Sequence, residues 1–412
     1  MSVVALSELL GATVRDASGT VRGRVREIAV TPQDHPTRIA YLIVKTSDGD
    51  RMLPPDVLTS AGASVRTATE MSQWERFSPS DGLLLLKRDL LDQQIIDVHG
   101  RKVVRVNDVE MESTPINSHV SLNVVAVDVG ARGAIRRLSK GLVPSFTLRA
   151  LLAKIPPRVI PWQFVDLLET DPARRVKLKI AYEGLAKLHP ADIADIVEDL
   201  APAEREAVFE TIDEEVAAEA LEEIDPDIQV SIVESLDKDR VADIVEEMDP
   251  DAAADLLGDL TEAQSGEILE EMEPAERREV TQLLEFGEHT AAGRMTTEYI
   301  AVSETAVVDD AIDALKGFEG SREALATIYL TGAGQKLVGM VPLVKIAVSS
   351  PAIQLSQLSE PYIACAPDTP QDEVAALFDK YNLITLAVVD EHGRIAGIIT
   401  ADDVITMLRH ND

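Results

Sequence analysis

Carboxylate side chains are concentrated in one stretch of this sequence, residues 185–290. The stretch holds 34 Asp and Glu residues against 6 Lys and Arg residues. It therefore carries −28 of the formal net charge of −33. Leu, Ile, Val and Met recur between the acids at helical spacing, which indicates amphipathic helices rather than a disordered acidic tail. Carboxylates on adjacent helices repel, and Mg²⁺ or Ca²⁺ relieves that repulsion by taking oxygen ligands from both. Two interpretations stay open: a collector of divalent cations, or a solvated face that favours solubility.

The acids are positioned by a sequence that repeats every 24 residues. One set of apolar positions on this period is Leu188, Ile212, Leu236, Leu260 and Leu284, and a second is Leu200, Ile224, Met248 and Met272. A fixed period of this length predicts stacked units of two short helices, which share one continuous core and form a superhelix. Proline recurs on the same period at Pro202, Pro226, Pro250 and Pro274. Because its missing N–H costs nothing in a first turn, each proline predicts the start of a helix.

Length and composition exclude several classes of protein. A chain of 412 residues predicts about three or four domains. The one cysteine, Cys365, rules out an internal disulfide framework and indicates a reducing compartment. No apolar run reaches the length of a membrane span and no signal peptide is evident, so no transmembrane segment is expected. The strong acidity argues against general nucleic-acid binding. No nucleophile–base set, metalloprotease motif or phosphate loop appears, so an enzyme is not expected.

The first 140 residues contain two related β units. Alternating apolar and polar residues flank a turn at Ser18 and Gly19, and the pattern returns 81 residues later around Gly100. The strings LGATVRDASGTVRGRV and LDQQIIDVHGRKVVRV resemble the PRC-barrel family, whose members are docking modules rather than enzymes. The resemblance predicts two small β-barrels, over residues 1–70 and 71–140.

A basic segment follows the predicted barrels. Residues 130–160 contain no acid, and their basic residues are Arg132, Arg136, Arg137, Lys140, Arg149, Lys154 and Arg158. We assign residues 141–184 to a basic linker with lead-in helices. Three roles stay open for this segment: a cover over the first helical unit, a contact with the acidic helices of the same chain or of a dimer mate, or a contact with anionic lipid headgroups.

The last stretch, residues 291–412, alternates strands and helices in two matching halves. The strings YIAVSETAVVDDAIDALKGFE and YIACAPDTPQDEVAALFDKY begin the halves, which resemble a pair of CBS domains. CBS pairs hold nucleotides in the cleft between their halves, and the ribose-binding pattern of that family is complete from Gly397 to Asp403. The resemblance implies that Thr400 presents its hydroxyl and that Asp403 accepts the ribose hydroxyls of an adenine nucleotide. The other interpretation of this pair is a helix N-cap.

The helical repeat, the join TAAGRMTTEYIAV and the CBS pair together resemble the cytosolic half of MgtE-type magnesium transporters. In that family, Mg²⁺ ions bridge acids of the repeat and of the CBS pair and lock a closed dimer. The resemblance assigns metal-binding roles in this sequence to Glu219, Asp251 and Asp255, within a helical domain that spans residues 185–290.

The sequence departs from those transporters in several places. Pro342 and Lys345 replace the ribose-binding residues in the first CBS half, so at most one nucleotide site is expected. Lys380 and Asn382 stand in a turn that is acidic in the transporters. The transmembrane half is absent from the sequence, and the two barrels are an addition.

These features predict a multidomain α+β protein: small N-terminal β-barrels, a central all-α superhelical repeat and a C-terminal α/β CBS pair. We interpret it as a soluble cytoplasmic regulator, free or peripheral at the inner membrane face, that senses Mg²⁺ and responds to an adenine nucleotide. We expect a homodimer through the CBS halves and a membrane transport protein as partner. The alternative is a structural adaptor, in which barrels and repeat hold partners and the CBS halves only dimerise. The Thr400–Asp403 pattern favours sensing, and the turn at Lys380 and Asn382 favours the adaptor.

Overall fold

The fold was analysed in a computed structural model of the chain. The structure describes residues 2–409 except 33, 79–81, 117–118, 140–151, 153–154, 170, 172–174, 176–181, 285, 288, 319 and 321–322. The chain forms two compact units, Met1–Val216 and Ala217–Asp412. The first contains a β-rich region and the first helices of the acidic repeat, and the second contains the later helices of the repeat and a mixed α/β region.

The β-rich region consists of short strands in which inward and outward side chains alternate. The strands are β1 Ser2–Ala5, β2 Thr13–Arg15, β3 Val21–Val30, β4 Ile39–Thr46, β5 Gly49–Leu53, β6 Leu58–Ser60, β7 Ser64–Thr67, β8 Glu75–Arg76, β9 Leu84–Leu85, β10 Gln94–Asp97, β11 Lys102–Arg105, β12 Asp108–Ile116, β13 His119–Asp128, β14 Val159–Pro161 and β15 Val165–Leu167. One sheet has the strand order β6-β7-β2-β3-β4-β5-β8, with β9 paired to β3. The other two have the orders β1-β12-β13-β14 and β11-β10-β15.

Strands from the two predicted barrels pair with each other. Strand β1 lies antiparallel to β12, and β9 lies antiparallel to β3. Inward side chains from Val4 to Ile160 form one hydrophobic cluster that both sets of strands share. The division at residue 70 separates two related sequence units, and as a domain boundary it stays a prediction. Each set of strands supplies a strand to the sheet of the other.

The 81-residue repeat is visible as two equivalent buried carboxylates. Asp16 follows β2 and Asp97 ends β10, and both are nearly inaccessible to solvent. The Asp16 carboxylate accepts hydrogen bonds from the Ser18 hydroxyl at 2.6 Å and from the Thr20 amide at 3.1 Å. The Asp97 carboxylate accepts one from the Gly100 amide at 2.9 Å. Because a buried carboxylate is costly without such partners, each acid holds its own turn closed.

Among the described residues of this region, two α-helices accompany the strands, α1 Leu6–Leu9 and α2 Ala131–Leu138. Helix α2 carries the start of the basic segment, and its Arg136 contacts two buried carboxylates. The Nη1 atom lies 3.2 Å from Oδ2 of Asp108, and the Nη2 atom lies 3.7 Å from Oδ2 of Asp128. The basic residues Lys140, Arg149 and Lys154, and much of the predicted linker 141–184, lie outside the described residues.

Eight short helices cover the acidic stretch between residues 182 and 284, all of which the structure describes. They are α3 Pro190–Glu198, α4 Pro202–Phe209, α5 Glu214–Glu222, α6 Pro226–Val233, α7 Lys238–Glu246, α8 Pro250–Asp259, α9 Glu262–Glu271 and α10 Glu276–Leu284. Pro202, Pro226 and Pro250 are the first residues of α4, α6 and α8, as predicted. The prediction is wrong for the last unit, because α10 begins at Glu276, two residues after Pro274.

In the second unit, successive repeats stack through every second helix. Helix α8 packs against α6 and α10, and α7 packs against α9. Their inward side chains are apolar and buried, as at Ile244 and Leu256. A side-chain-to-backbone hydrogen bond joins neighbouring repeats on the 24-residue period. The Glu222 carboxylate accepts from the Asp249 amide at 2.7 Å, and the Glu246 carboxylate accepts from the Glu273 amide.

The last stretch folds into two halves with the same order of elements, which confirms the predicted α/β pair. The first half contains β16 Ala301–Ser303, α11 Val308–Lys316, β17 Thr327–Thr331, β18 Leu337–Pro342 and α12 Leu343–Ala347, and the second contains β19 Ala364–Cys365, α13 Gln371–Tyr381, β20 Thr385–Val389, β21 Ile395–Thr400 and α14 Ala401–Arg409. In each half the middle strand is parallel to the first strand and antiparallel to the third. The Tyr329 hydroxyl joins the halves by donating to Thr385 Oγ1 at 2.9 Å. In the described part of the chain, no helix combines the length and the apolarity that a membrane crossing needs.

The segment between the helical repeat and the first CBS-like half, residues 291–297, is here called the junction segment. The amides of Ala291 and Ala292 donate to the carbonyls of Thr369 and Pro367, at 2.7 and 2.9 Å. Thr296 exchanges two backbone hydrogen bonds with Ile398 of β21, at 2.8 and 3.0 Å. A 3₁₀ turn at Ala292–Arg294 packs against α8 and α10. The junction segment is therefore fixed to the second half and also contacts the repeat.

Gly397→Ala is expected to destabilise the second unit by about 1–3 kcal/mol. A Cβ atom at this position would lie 2.6 Å from the Thr296 carbonyl oxygen and 2.7 Å from Met295 Sδ. The junction segment would have to move away from β21. Gly266→Ala in α9 is the control, because nothing lies within 4 Å of the added atom and alanine favours a helix. Denaturant unfolding measures both variants, and equal free energies of unfolding would contradict the tight junction.

Candidate functional site

Two carboxylates from different parts of the second unit interact electrostatically. Asp251 is in the first turn of α8, and Asp403 is in the first turn of α14. Burial raises the pKa of Asp251 well above its usual range, and the negative charge of Asp403 raises it further. Smaller contributions come from Asp249 and Asp255. A pair of like charges thus acts between the helical repeat and the second CBS-like half.

Asp403 also caps its own helix. Its Oδ2 atom accepts hydrogen bonds from the amide and the hydroxyl of Thr400, both at 2.7 Å. Thr400 precedes the helix and Asp403 is its third residue, so these bonds form one half of a capping box, which is the capping role that the sequence left open beside nucleotide binding. Burial raises the pKa of Asp403 to about 6, although the Thr400 hydrogen bonds act in the opposite direction. Because the cap uses Oδ2, a ribose hydroxyl would be accepted by Oδ1.

Arg294 of the junction segment lies among these acids. Its Nη1 atom forms an ion pair with Oδ2 of Asp255, which lies about one turn after Asp251 on α8. The Arg294 side chain is 18% exposed and that of Asp255 is 41% exposed, so the pair lies at the edge of the buried region. Burial dominates the pKa of Asp403, but the guanidinium charge of Arg294 opposes it and lowers that pKa. One cation therefore acts on acids of both the repeat and the second half.

Glu219, the third acid predicted to bind metal, is exposed on α5. Its charge acts on Glu222, an acid that the sequence analysis missed. The pKa of Glu222 is raised to about 8, and burial is the largest cause. The negative charge of Asp249 is the second cause, and that of Glu219 makes a smaller contribution. The structure thus connects Glu219 with the Glu222–Asp249 hydrogen bond rather than with the contact between Asp251 and Asp403.

Glu222→Gln is expected to stabilise the second unit at pH 8 and to have little effect near about pH 4. The folded-state pKa of about 8 exceeds the ordinary value of 4.5, so the folded state holds the proton more tightly than the unfolded state does. The contribution of Glu222 to stability is therefore greatest below pH 4.5 and falls as the pH rises towards 8. Glutamine cannot ionise and keeps the acceptor for the Asp249 amide. At pH 8 the free energy of unfolding of the variant should therefore exceed that of the wild type by at least about 1 kcal/mol.

Denaturant unfolding at the two pH values measures this effect. The exposed neighbour provides a matched control, and Glu223→Gln should follow the pH profile of the wild type. If Glu222→Gln also follows the wild type, the Glu222 carboxyl titrates normally and the inferred burial is wrong.

The donor set around Asp251 suits a hydrated divalent ion rather than a closed metal cage. Among the residues that the structure describes, no group of three or more His, Cys, Asp or Glu side chains is arranged to hold a metal. Asp251 and Asp403 offer carboxylate oxygens, and Mg²⁺ typically binds one or two carboxylates while keeping several waters. The two acids therefore fit Mg²⁺, whereas Asp255 already has Arg294 as its cation.

The comparisons with known proteins agree with this division of the chain. Residues 188–289 match the family model of the MgtE intracellular N domain, and residues 355–410 match that of the CBS domain. Residues 188–289 thus resemble an MgtE N domain. Over 133 residues, 32% of the chain, the sequence is 35% identical to the magnesium transporter MgtE of Thermus thermophilus. Over 135 residues it is 28% identical to MgtE of Bacillus subtilis. In both cases the chain spans 30% of the length of the curated relative.

Two solved structures resemble a larger part of the chain. The cytosolic domain of the Mg²⁺ channel MgtE, crystallised in complex with ATP, is 30% identical with a TM-score of 0.53, and the match covers 56% of this chain and 94% of that one. The soluble part of a magnesium transporter has a TM-score of 0.54 at 22% identity, and the match covers 59% of this chain and 94% of that one. The arrangement of an MgtE N domain followed by a CBS pair is therefore confirmed.

The residues that the sequence analysis singled out as departures from the transporter pattern have local contacts or conformations in the CBS pair. Lys345 Nζ lies 2.7 Å from Oε1 of Glu360 and donates to the Leu358 carbonyl at 3.1 Å. Asn382 ends α13 in the left-handed conformation, with φ of 50°, which asparagine adopts more readily than most residues do. Lys380 lies over the Tyr381 ring, 4.8 Å from its centroid. Each of these residues therefore has a local structural role.

A cleft of about 870 Å³ lies between the CBS halves and the end of the MgtE N domain. Its lining includes Tyr299, Thr331, Asp390 and Arg394, and Thr400 and Asp403 lie outside it. The volume and the mixture of aromatic, acidic and guanidinium groups suit a nucleotide-sized ligand. The sequence analysis expected a nucleotide in the cleft between the CBS halves, but it did not identify these lining residues, because they come from separate segments that share no continuous motif.

Proposed function

We propose that the MgtE N domain and the CBS pair of this chain form a regulatory unit that responds to Mg²⁺ and to an adenine nucleotide. One observation above all supports the proposal: Asp251 of the N domain and Asp403 of the second CBS half are close enough for the charge of one to raise the pKa of the other. The ATP complex of a similar cytosolic domain supports the nucleotide part.

The proposed response is electrostatic. Asp251 and Asp403 would hold Mg²⁺ between the helical repeat and the CBS pair, with water as the remaining ligands. Without a divalent ion, repulsion between the two carboxylates favours their separation, so the ion shifts the population towards the compact arrangement. Glu219 and Asp255 are proposed as outer acids that raise the local cation concentration. Because Asp403 is also the proposed ribose acceptor beside Thr400, binding of the cation and binding of the nucleotide are thermodynamically linked.

The test is a Mg²⁺ titration of the purified chain, followed by its X-ray scattering radius. Millimolar Mg²⁺ is expected to reduce the radius of gyration. Sodium chloride at the same ionic strength should reduce it less, because a monovalent salt only screens the carboxylates and does not coordinate two of them at once. If the two salts have equal effects, the structural adaptor becomes the better interpretation.

We further propose that this unit is regulatory rather than enzymatic and acts in the cytoplasm on a membrane transport protein. The support is that the curated relatives are magnesium transporters and that the similar structure is a cytosolic domain. The β-rich region is proposed to dock the partner, through its PRC-barrel-like units.

Val348→Asp is expected to convert a dimer of this chain into a monomer. Among the described residues, the CBS pair exposes large apolar side chains to solvent, namely Val344 (69%), Val348 (81%), Ile384 (64%) and Ile405 (60%). Such exposed apolar surface supports a homodimer through the CBS halves, and a buried unpaired carboxylate would disrupt it. Sedimentation at micromolar concentration measures the effect. Val3→Asp is the control, because Val3 is 62% exposed on β1. A monomeric wild type, or a dimeric Val348→Asp variant, would exclude this interface.

A further inference from the structure

We propose that Arg294 is a tethered cation that sets how much Mg²⁺ the contact between the MgtE N domain and the second CBS half requires. The inference rests on the proposed function, since it concerns the cation threshold of the same contact. It assigns a role to a residue that no part of the metal-binding pattern includes.

The position of Arg294 is fixed by the second CBS half. The junction segment is held on both sides of Arg294, by the Ala291 and Ala292 amides at Thr369 and Pro367, and by Thr296 at Ile398. The side chain of Arg294 then extends to α8 of the N domain, where it pairs with Asp255. The arginine therefore connects the two bodies that the Mg²⁺ ion is proposed to connect.

The charge of Arg294 compensates the acids only in part. A guanidinium stays protonated at any physiological pH, so its charge is constant. Asp251, Asp255 and Asp403 contribute three carboxyl groups, whereas Arg294 supplies one positive charge. Arg294 thus stabilises the contact in the absence of Mg²⁺ and at the same time repels an incoming divalent ion.

A purely structural salt bridge would behave differently. An ion pair at the edge of a buried region contributes little to stability and would not alter the Mg²⁺ concentration that the contact needs. A tethered cation must alter that concentration, because its charge lies beside the proposed ligands. The measurement that separates the two roles is the Mg²⁺ midpoint rather than the melting temperature.

The experiment is a double-mutant cycle on Arg294 and Asp255, with proteolysis of residues 286–297 as the readout of an open contact. Arg294→Gln removes a positive charge and should lower the Mg²⁺ concentration for half-maximal protection by about tenfold. Asp255→Asn releases the guanidinium from its partner and should raise that concentration by a similar factor. The double variant has the same local net charge as the wild type, and its midpoint should return close to the wild-type value. Arg294→Lys keeps the charge and should also titrate like the wild type.

The outcomes distinguish this inference from the proposed function. If the wild type responds to Mg²⁺ and Arg294→Gln has the same midpoint, the tethered-cation role is overturned and Mg²⁺ sensing stands. If the wild type shows no Mg²⁺ response, the proposed Mg²⁺ sensing is wrong. The rate of proteolysis without Mg²⁺ then tests the role of Arg294 alone. Faster cleavage of Arg294→Gln than of Arg294→Lys supports the tether, and equal cleavage overturns it. If Arg294→Gln does not fold, the midpoint of Asp255→Asn gives the answer, because a wild-type value there overturns the inference.

Discussion

Asp251→Asn is expected to abolish the protection of the junction segment by Mg²⁺. In the wild type, Mg²⁺ at about ten times its dissociation constant should slow proteolysis of residues 286–297 by about tenfold, because a ligand that binds only the closed contact stabilises it in that proportion. Asparagine keeps the size of the side chain but removes one of the two facing charges. The variant should resist the protease even without Mg²⁺, since its repulsion with Asp403 is gone.

The repeat provides a matched control for this variant. Asp227 is the equivalent of Asp251 one 24-residue period earlier, lies in the first turn of α6 and is exposed. Asp227→Asn should therefore leave the Mg²⁺ response unchanged. The double variant Asp251→Asn and Asp255→Asn removes two negative charges and should show no Mg²⁺ response. If that double variant responds as the wild type does, these acids do not sense the ion, and the result favours the structural adaptor.

Asp403→Ala is expected to abolish the stabilisation of this chain by adenine nucleotides. ATP, ADP or AMP at a hundredfold excess over its dissociation constant should stabilise the wild type by about 2.7 kcal/mol, which differential scanning calorimetry detects as a rise in Tm. The substitution removes the proposed ribose acceptor. It also removes the helix cap on Thr400, so the ligand-free Tm should fall as well, by the equivalent of about 1 kcal/mol. The informative quantity is the change in Tm on adding nucleotide.

Asp402→Ala separates the loss of the acceptor from a general effect on α14. Asp402 is the exposed neighbour of Asp403 in the same helical turn, and its variant should keep the full nucleotide response. If Asp403→Ala still gains stability from ATP, the nucleotide binds elsewhere and Asp403 is only a cap. Arg394→Gln would then test the cleft of about 870 Å³, whose lining includes Arg394.

The features that follow from local periodicity could be predicted from the sequence. Three of the four period-24 prolines begin helices, because their spacing and their fixed φ act within a single turn. The two CBS halves were evident from their matched strings, since each half repeats the same strand–helix alternation. The Thr400–Asp403 pair could be found as well, because both of its interpretations depend on residues three apart.

The features that depend on contacts between distant residues could not be predicted. The regular spacing of acids in the repeat does not indicate which of them is buried, so Glu222 was indistinguishable from the exposed Glu223. The meeting of Asp251 with Asp403 requires the packing of the repeat against the second half, which no local pattern encodes. Arg294 stands in the join TAAGRMTTEYIAV, where its charge had no evident partner until α8 supplied Asp255.

The attachment of the junction segment to β21 has a consequence for the order in which this protein is made. Thr296 can form its hydrogen bonds with Ile398 only after the ribosome has synthesised roughly a hundred further residues, and such distant pairings form late. The acidic helices are complete long before that point. During synthesis they therefore carry their charge without the guanidinium of Arg294 in its final place, and cations of the surrounding solution must balance it in the meantime.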